Sequence, residues 1–234
     1  MYIIPLITAI VSLVFGLTAL DQYFARRRPY QLFWAIGVFL YAIGAGCEFW
    51  AGQFGIGQVV FRLWYLSGAI LVAAYLGMGT LYLLARRRQA NIIMFFLVIA
   101  SVYAVIRIFT ASLDLSGMQT LAGGSRPTDL RAAAAVFNIF GTITLVGGAV
   151  YSAWIFWRRR ILLHRMVANI LIAGGAILPA VAGVSTTAGG SNTIHVLFLF
   201  LGIIIIFIGF LRTKDVFGFF RFPLVHGFKR LPTK

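Results

Sequence analysis

Apolar and polar residues alternate in this chain in long blocks. Seven stretches of about 20 mostly apolar residues are separated by short polar segments, and about 20 residues at 1.5 Å each is the length a helix needs to cross a bilayer. The pattern predicts helices over roughly Tyr2–Tyr23, Gln31–Ala51, Gln58–Ala85, Asn91–Thr110, Asp129–Trp157, Met166–Val184 and Thr193–Leu211. The fifth is expected to start with Thr128 as N-cap, behind Pro127. The sequence divides into a seven-helix bundle over 1–214 and an interfacial tail over 215–234, where phenylalanines alternate with Arg221, Lys229 and Arg230.

The connections alternate in character. One set is rich in Gly, Ser and Thr, as in Gly52–Gly57 and Ser185–Asn192. The other carries arginine: Arg26–Arg28, Arg86–Arg88, Arg158–Arg160 with Arg165, and finally Arg212, Lys214, Arg221, Lys229 and Arg230. Basic loops stay in the cytoplasm, which predicts the amino terminus outside and the carboxyl terminus inside. The first apolar stretch has its charges after it, the reverse of a cleaved signal peptide, and reads as a retained helix.

Composition narrows the class. The 234 residues are 61% hydrophobic and 11% charged, with a mean hydropathy of +0.96. Soluble domains carry about 25% charge, so an all-α polytopic protein of a bacterial inner membrane is expected. The net charge of +15 sits mainly in the loop clusters, where it meets anionic headgroups at the cytoplasmic face; no basic soluble module is present to hold nucleic acid. Cys47 is the only cysteine and forms no internal disulfide.

Charged groups inside the spans cost about 2.5–3.5 kcal/mol each on insertion scales, so the few that occur are informative. Glu48, Arg62 and Arg107 are three of them, and His195 opens the last helix. Glu48 and Arg107 each lie about 25 Å from the cytoplasmic surface at 1.5 Å per residue, which puts all four at one outer level. Gly37, Tyr41, Gly44, Glu48 and Gly52 form one helical stripe; Arg62, Tyr65, Ala69, Ala73 and Gly77 form another. Small residues mark packed faces of membrane helices, so Glu48 and Arg62 are expected to face inward, within reach of a direct pair. Such a pair serves equally as a staple between helices or as part of a solute or proton site. Arg107 then needs another partner, or snorkels to the headgroups. Asn138 begins a polar small-residue face on the fifth helix and is a further candidate, either for a ligand or for interhelical hydrogen bonding.

Two halves of the chain show internal similarity. Arg26 and Arg158 close the first and fifth helices 132 residues apart, and at that offset Ser12–Val14 and Gly16 face Thr144–Val146 and Gly148. One residue less aligns Ala42, Gly44 and Ala45 with Ala173, Gly175 and Ala176. These offsets suggest a parallel 3+1+3 repeat.

No chemistry of a known enzyme is encoded. No helix carries a core lysine for a retinal Schiff base, and His164, His195 and His226 are not placed to sandwich a haem. HExxH, GxSxG and phosphate-loop motifs are missing, so neither catalysis, a metal nor a cofactor is expected.

Trp34, Tyr41, Gly44 and Glu48, followed by Tyr65, Leu66 and Gly68, resemble the amino-terminal seven-helix sensory region of some bacterial histidine kinases. The resemblance implies a membrane sensor fold of the same topology, although the 234 residues contain no kinase half. The three-one-three pattern separately resembles SWEET-type sugar transporters, without their Pro-Gln motif. The chain as a whole is similar to uncharacterised bacterial seven-helix membrane proteins. Three functions stand on this sequence: a small-solute or ion carrier or binding bundle with an outer polar site, a sensor signalling to a cytoplasmic partner, or an accessory subunit of a larger membrane complex.

Overall fold

A computed structural model describes residues 3–115, 117, 118, 120–123, 126–158, 163–187 and 191–212. The tail 215–234 and Lys214 lie outside the described residues. Seven helices are long and apolar enough to cross a membrane, as a multi-pass membrane protein requires. They are α1 (Ile3–Arg26), α2 (Pro29–Phe54), α3 (Gln58–Leu84), α4 (Arg87–Thr110), α5 (Thr128–Arg158), α6 (Leu163–Thr187) and α7 (Asn192–Arg212). A short 3₁₀ turn, Leu121–Gly123, interrupts the long α4–α5 connection. Among the described residues there is no strand.

Local chemistry sets several boundaries. Pro29 stands in the first turn of α2, where its missing N–H costs nothing, while Arg27 turns the chain with φ 53°. Gly55, with φ 90°, ends α2, and its N–H returns to the Ala51 carbonyl. The start of α5 corrects the expected cap: Thr128 is the first helical residue, Pro127 holds the cap position, and no side chain caps it. Proline's extended backbone makes the entry, and the Thr128 hydroxyl sits past the point from which it could cap.

Six helices close into a ring in the order α1, α2, α3, α5, α6, α7, and α7 returns to α1. Phe15, Val38, Leu76, Leu145, Ile172 and Ile203, one from each ring helix, are all buried in a common core. Helix α4 stands outside the ring, touching α3 and α5, and exposes Phe95, Phe96, Ile99 and Ile106, as suits a lipid-facing helix. Arg26–Arg28, Arg86–Arg88, Arg158 and Arg212 fall at one end of the bundle; Gly55, the 3₁₀ turn and the start of α7 fall at the other, termed the distal end below.

Both α3 and α5 contain π-helical turns, Tyr65–Leu71 and Ile143–Gly147. Such a turn widens the helix and alters which carbonyls remain free. Asn138 answers the first of them: its Nδ2 donates to the Ala69 carbonyl within the π segment at 2.6 Å, and to Ala134 at 2.8 Å. Replacing Asn138 by Leu is expected to cost about 0.5–2 kcal/mol, the range for interhelical hydrogen bonds in membranes, and to loosen α3 against α5. Thermal unfolding in detergent measures the cost; an unchanged melting temperature would remove Asn138 from the packing account.

Candidate functional site

The approach of α2 and α3 builds the site. Their backbones cross at Gly44 and Gly68, where a Cβ on Gly44 would lie 3.0 Å from the Gly68 Cα. The two helices run in opposite directions, so one turn beyond Gly44 on α2 meets one turn before Gly68 on α3. Those residues are Glu48 and Trp64. The Trp64 indole Nε1 donates to Glu48 Oε1 at 3.1 Å.

Helix α7 supplies the third member. Tyr41, two turns before Glu48, donates from its hydroxyl to the Leu199 carbonyl at 2.8 Å and fixes α7 against α2. One turn back along α7 from Leu199, His195 Nε2 comes within 3.3 Å of the same Glu48 Oε1. The side chains are 8% exposed for His195 and 11% for Glu48, so the carboxylate is nearly withdrawn from solvent and must be satisfied by protein donors. His195 Nδ1 is buried and has no hydrogen-bond partner among the described residues.

Both donors converge on Oε1. Among the described residues none donates to Glu48 Oε2, and this oxygen is not among the buried polar atoms left unpartnered. Glu48 also lines a cavity of about 140 Å³ at the distal end, together with residues of α1, α2, α7 and the α4–α5 connection.

The other sequence candidates lie elsewhere. Arg62 does not pair with Glu48. Its guanidinium donates to the carbonyls of Phe109 and, at 3.1 Å, Ala111, and to Gln58 Oε1 at 3.3 Å, so it caps the C-terminal carbonyls of α4. The reason is helical phase: Arg62 and Trp64 are two residues apart, about 200° around the helix, so when Trp64 faces α2 Arg62 faces away. The stripe Ala69, Ala73 and Gly77 accordingly faces α5, meeting Asn138, Gly141 and Thr144. Arg107 has a partner in place of the headgroups: Nη2 and Nε lie 2.5 and 2.6 Å from Asp129 Oδ2, joining α4 to the first turn of α5. Asn138 is not among the cavity residues.

Sequence reasoning missed two members. Trp64 could have been flagged, since an indole N–H at membrane depth needs an acceptor. Arg126 lies in the α4–α5 connection and has no such local signal. Its guanidinium stands over the rings of Tyr65, Trp64 and Phe61, 4.9, 5.6 and 5.9 Å from their centres. It donates to the Leu121 and Ala122 carbonyls at 2.9 and 2.7 Å, which ties one wall of the cavity to the aromatic face of α3. Burial lowers the Arg126 pKa from the usual arginine value, an effect partly opposed by Tyr65 and reinforced by Arg131. Among the described residues no group of three His, Cys, Asp or Glu could hold a metal ion.

Compared with protein-family models, with curated proteins and with solved structures, the chain matches none of them.

Proposed function

We propose that this protein is a small-solute or ion-binding bundle of the bacterial inner membrane, acting as a carrier, with its polar site in the outer half. One observation carries this reading: a nearly buried carboxylate, held by Trp64 and His195 on one oxygen, lines a cavity at the distal end, and its other oxygen has no donor among the described residues. A staple between helices has no need of a free oxygen or a cavity. A charge at membrane depth costs several kcal/mol, and burial of that kind marks functional positions.

In this reading the distal end is extracellular and the arginine clusters are cytoplasmic, bound to anionic headgroups. The bundle is a 3+1+3 repeat in which α1–α3 and α5–α7 correspond and α4 is the link. Supporting it, Gly44 crosses α3 at Gly68 while Gly175, its partner at an offset of 131 residues, crosses α7 at Gly202. The position of α4 outside the ring suits a linker. The cavity then falls beside the seam between the halves, where α1 meets α7.

Site access and orientation can be tested together. In a Cys47→Ser background, Ala51→Cys places a thiol on the cavity wall, one turn from Glu48. A membrane-impermeant maleimide added outside intact cells is expected to label it, with no labelling of a cysteine placed at Arg87 until the membrane is permeabilised. Labelling of the second site alone would reverse the orientation, and no labelling of Ala51→Cys under either condition would close the cavity and end the carrier reading. Native pull-down separates the remaining alternatives: stoichiometric recovery of a signalling protein supports a sensor, and recovery only within a larger membrane assembly supports an accessory subunit.

A further inference from the structure

We infer that the ligand of the Glu48 cavity is a small primary alkylammonium cation. The inference rests on the reading of Glu48 as the polar centre of the site, and it assigns the chemistry of what binds there.

The first constraint is the acceptor. An ionised carboxylate only accepts hydrogen bonds, and Oε1 is already occupied by Trp64 and His195. Oε2 therefore selects a donor, and a cationic N–H donor makes the stronger, charge-assisted bond. An anion would meet a carboxylate, and is excluded on charge.

The second constraint is coordination. Divalent cations of the hard class take six or more oxygen ligands, and the described residues offer one free carboxylate oxygen with no second acid beside it. A bare alkali ion would have to complete its shell from the neutral oxygens of the Thr120, Asn192 and Thr193 positions and from water. An ammonium carries its own directional donors and needs fewer.

Size and wall chemistry give the third. A cavity of about 140 Å³ has room for four or five waters at about 30 Å³ each, hence for a molecule of a few heavy atoms. The Thr120, Asn192 and Thr193 positions supply polar atoms on its lining, while Ile4, Ile56 and Val196 form apolar wall. A carboxylate with aliphatic surface beside it matches a charged head on a short alkyl chain. An amino acid would bring its own carboxylate toward Glu48, and a bulky quaternary ammonium has no N–H for Oε2.

The test uses the full-length protein purified in detergent, with methyl-, ethyl-, propyl- and butylammonium as probes. Ethanol and propanol serve as neutral counterparts, tetramethylammonium as a cation without N–H, and sodium and potassium at matched ionic strength. Thermal stabilisation is expected to saturate with the primary amines and to be strongest for the two- and three-carbon chains. Glu48→Gln is expected to weaken it at least ten-fold while lowering the ligand-free melting temperature by no more than about 6 °C. The same amines are expected to slow maleimide labelling of Ala51→Cys.

Equal stabilisation by the alcohols, by tetramethylammonium or by the alkali ions would overturn the assignment, as would an undiminished response in Glu48→Gln. If Ala51→Cys is labelled from water and no amine slows it, the cavity reading stands and the alkylammonium assignment falls. If Ala51→Cys is not labelled at all, both fall.

Discussion

Gly77→Leu should be the most damaging single substitution in the bundle interior, lowering stability by about 3 kcal/mol or more. A Cβ at Gly77 would lie 2.9 Å from both the Cα and the carbonyl oxygen of Gly141, and would press on Thr144 as well. Gly141 in turn abuts the Ala73 backbone. Backbone faces backbone on both sides, so no rotamer change can make room, and α3 must separate from α5. The separation would also break the Asn138 bond to Ala69, one turn away along α5. Gly46→Leu is the matched control, since a Cβ there meets nothing within 4 Å. In thermal melts the first variant should lose on the order of 10 °C, and the second should stay near the parent. A Gly77→Leu protein that melts with the parent would show that α3 and α5 do not pack as closely as described.

Glu48→Ala should be the second most damaging change, and much worse than Glu48→Gln. Removing the carboxylate leaves two buried donors, the Trp64 indole and His195 Nε2, without an acceptor. Each orphaned donor costs about 1–3 kcal/mol, so the pair gives a loss of roughly 2–6 kcal/mol. Glutamine keeps a carbonyl oxygen where Oε1 stands and should lose at most about 1.5 kcal/mol, the difference between a charged and a neutral acceptor. The comparison is read from melting temperatures, with the emission of Trp64 followed against a Trp64→Phe variant to show whether the indole has been released. Equal loss in both variants would mean that charge, and not hydrogen bonding, holds the three helices together. His195→Ala in the Glu48→Ala background should add little, because the two side chains share one interaction.

Arg126→Gln bears on the same cavity from the opposite side. It should free the wall carrying Leu121 and Ala122, raise the labelling rate of Ala51→Cys several-fold and leave the helices intact, since its bonds are to loop carbonyls and its stacking is on ring faces. An unchanged rate would remove Arg126 from control of the cavity.

Much of this molecule is legible from residue order. Seven apolar runs become seven helices of membrane length because every backbone polar group in a bilayer must bond within its own segment, and only length and apolarity decide where that is possible. The stripe Gly37, Tyr41, Gly44 and Glu48 lies on the packed face of α2, as small residues at helical spacing predict. Glu48 and His195, separated by 147 residues, meet at one depth because span lengths alone set depth.

Partner choice was not legible. The second stripe, from Arg62 to Gly77, does face a neighbour, but the neighbour is α5, and Arg62 ends on the carbonyls of α4. Helical periodicity says which residues share a side and is silent on which helix that side meets. A π turn in mid-helix, such as Tyr65–Leu71, also shifts the phase of everything beyond it and leaves no mark in hydropathy. Arg107 found Asp129 because the α4–α5 connection returns the chain beside its own start, a path that loop composition does not encode.

The sequence by itself determined the number of spans and their approximate lengths, since these follow from local bonding and transfer energy along the chain. Only the tertiary structure decided that Glu48 meets Trp64 and His195 beside a cavity, and that Arg126 bonds the carbonyls of the cavity wall. Those are matters of rotation and contact between helices, set by backbone approach at a few glycines and summed over the whole ring.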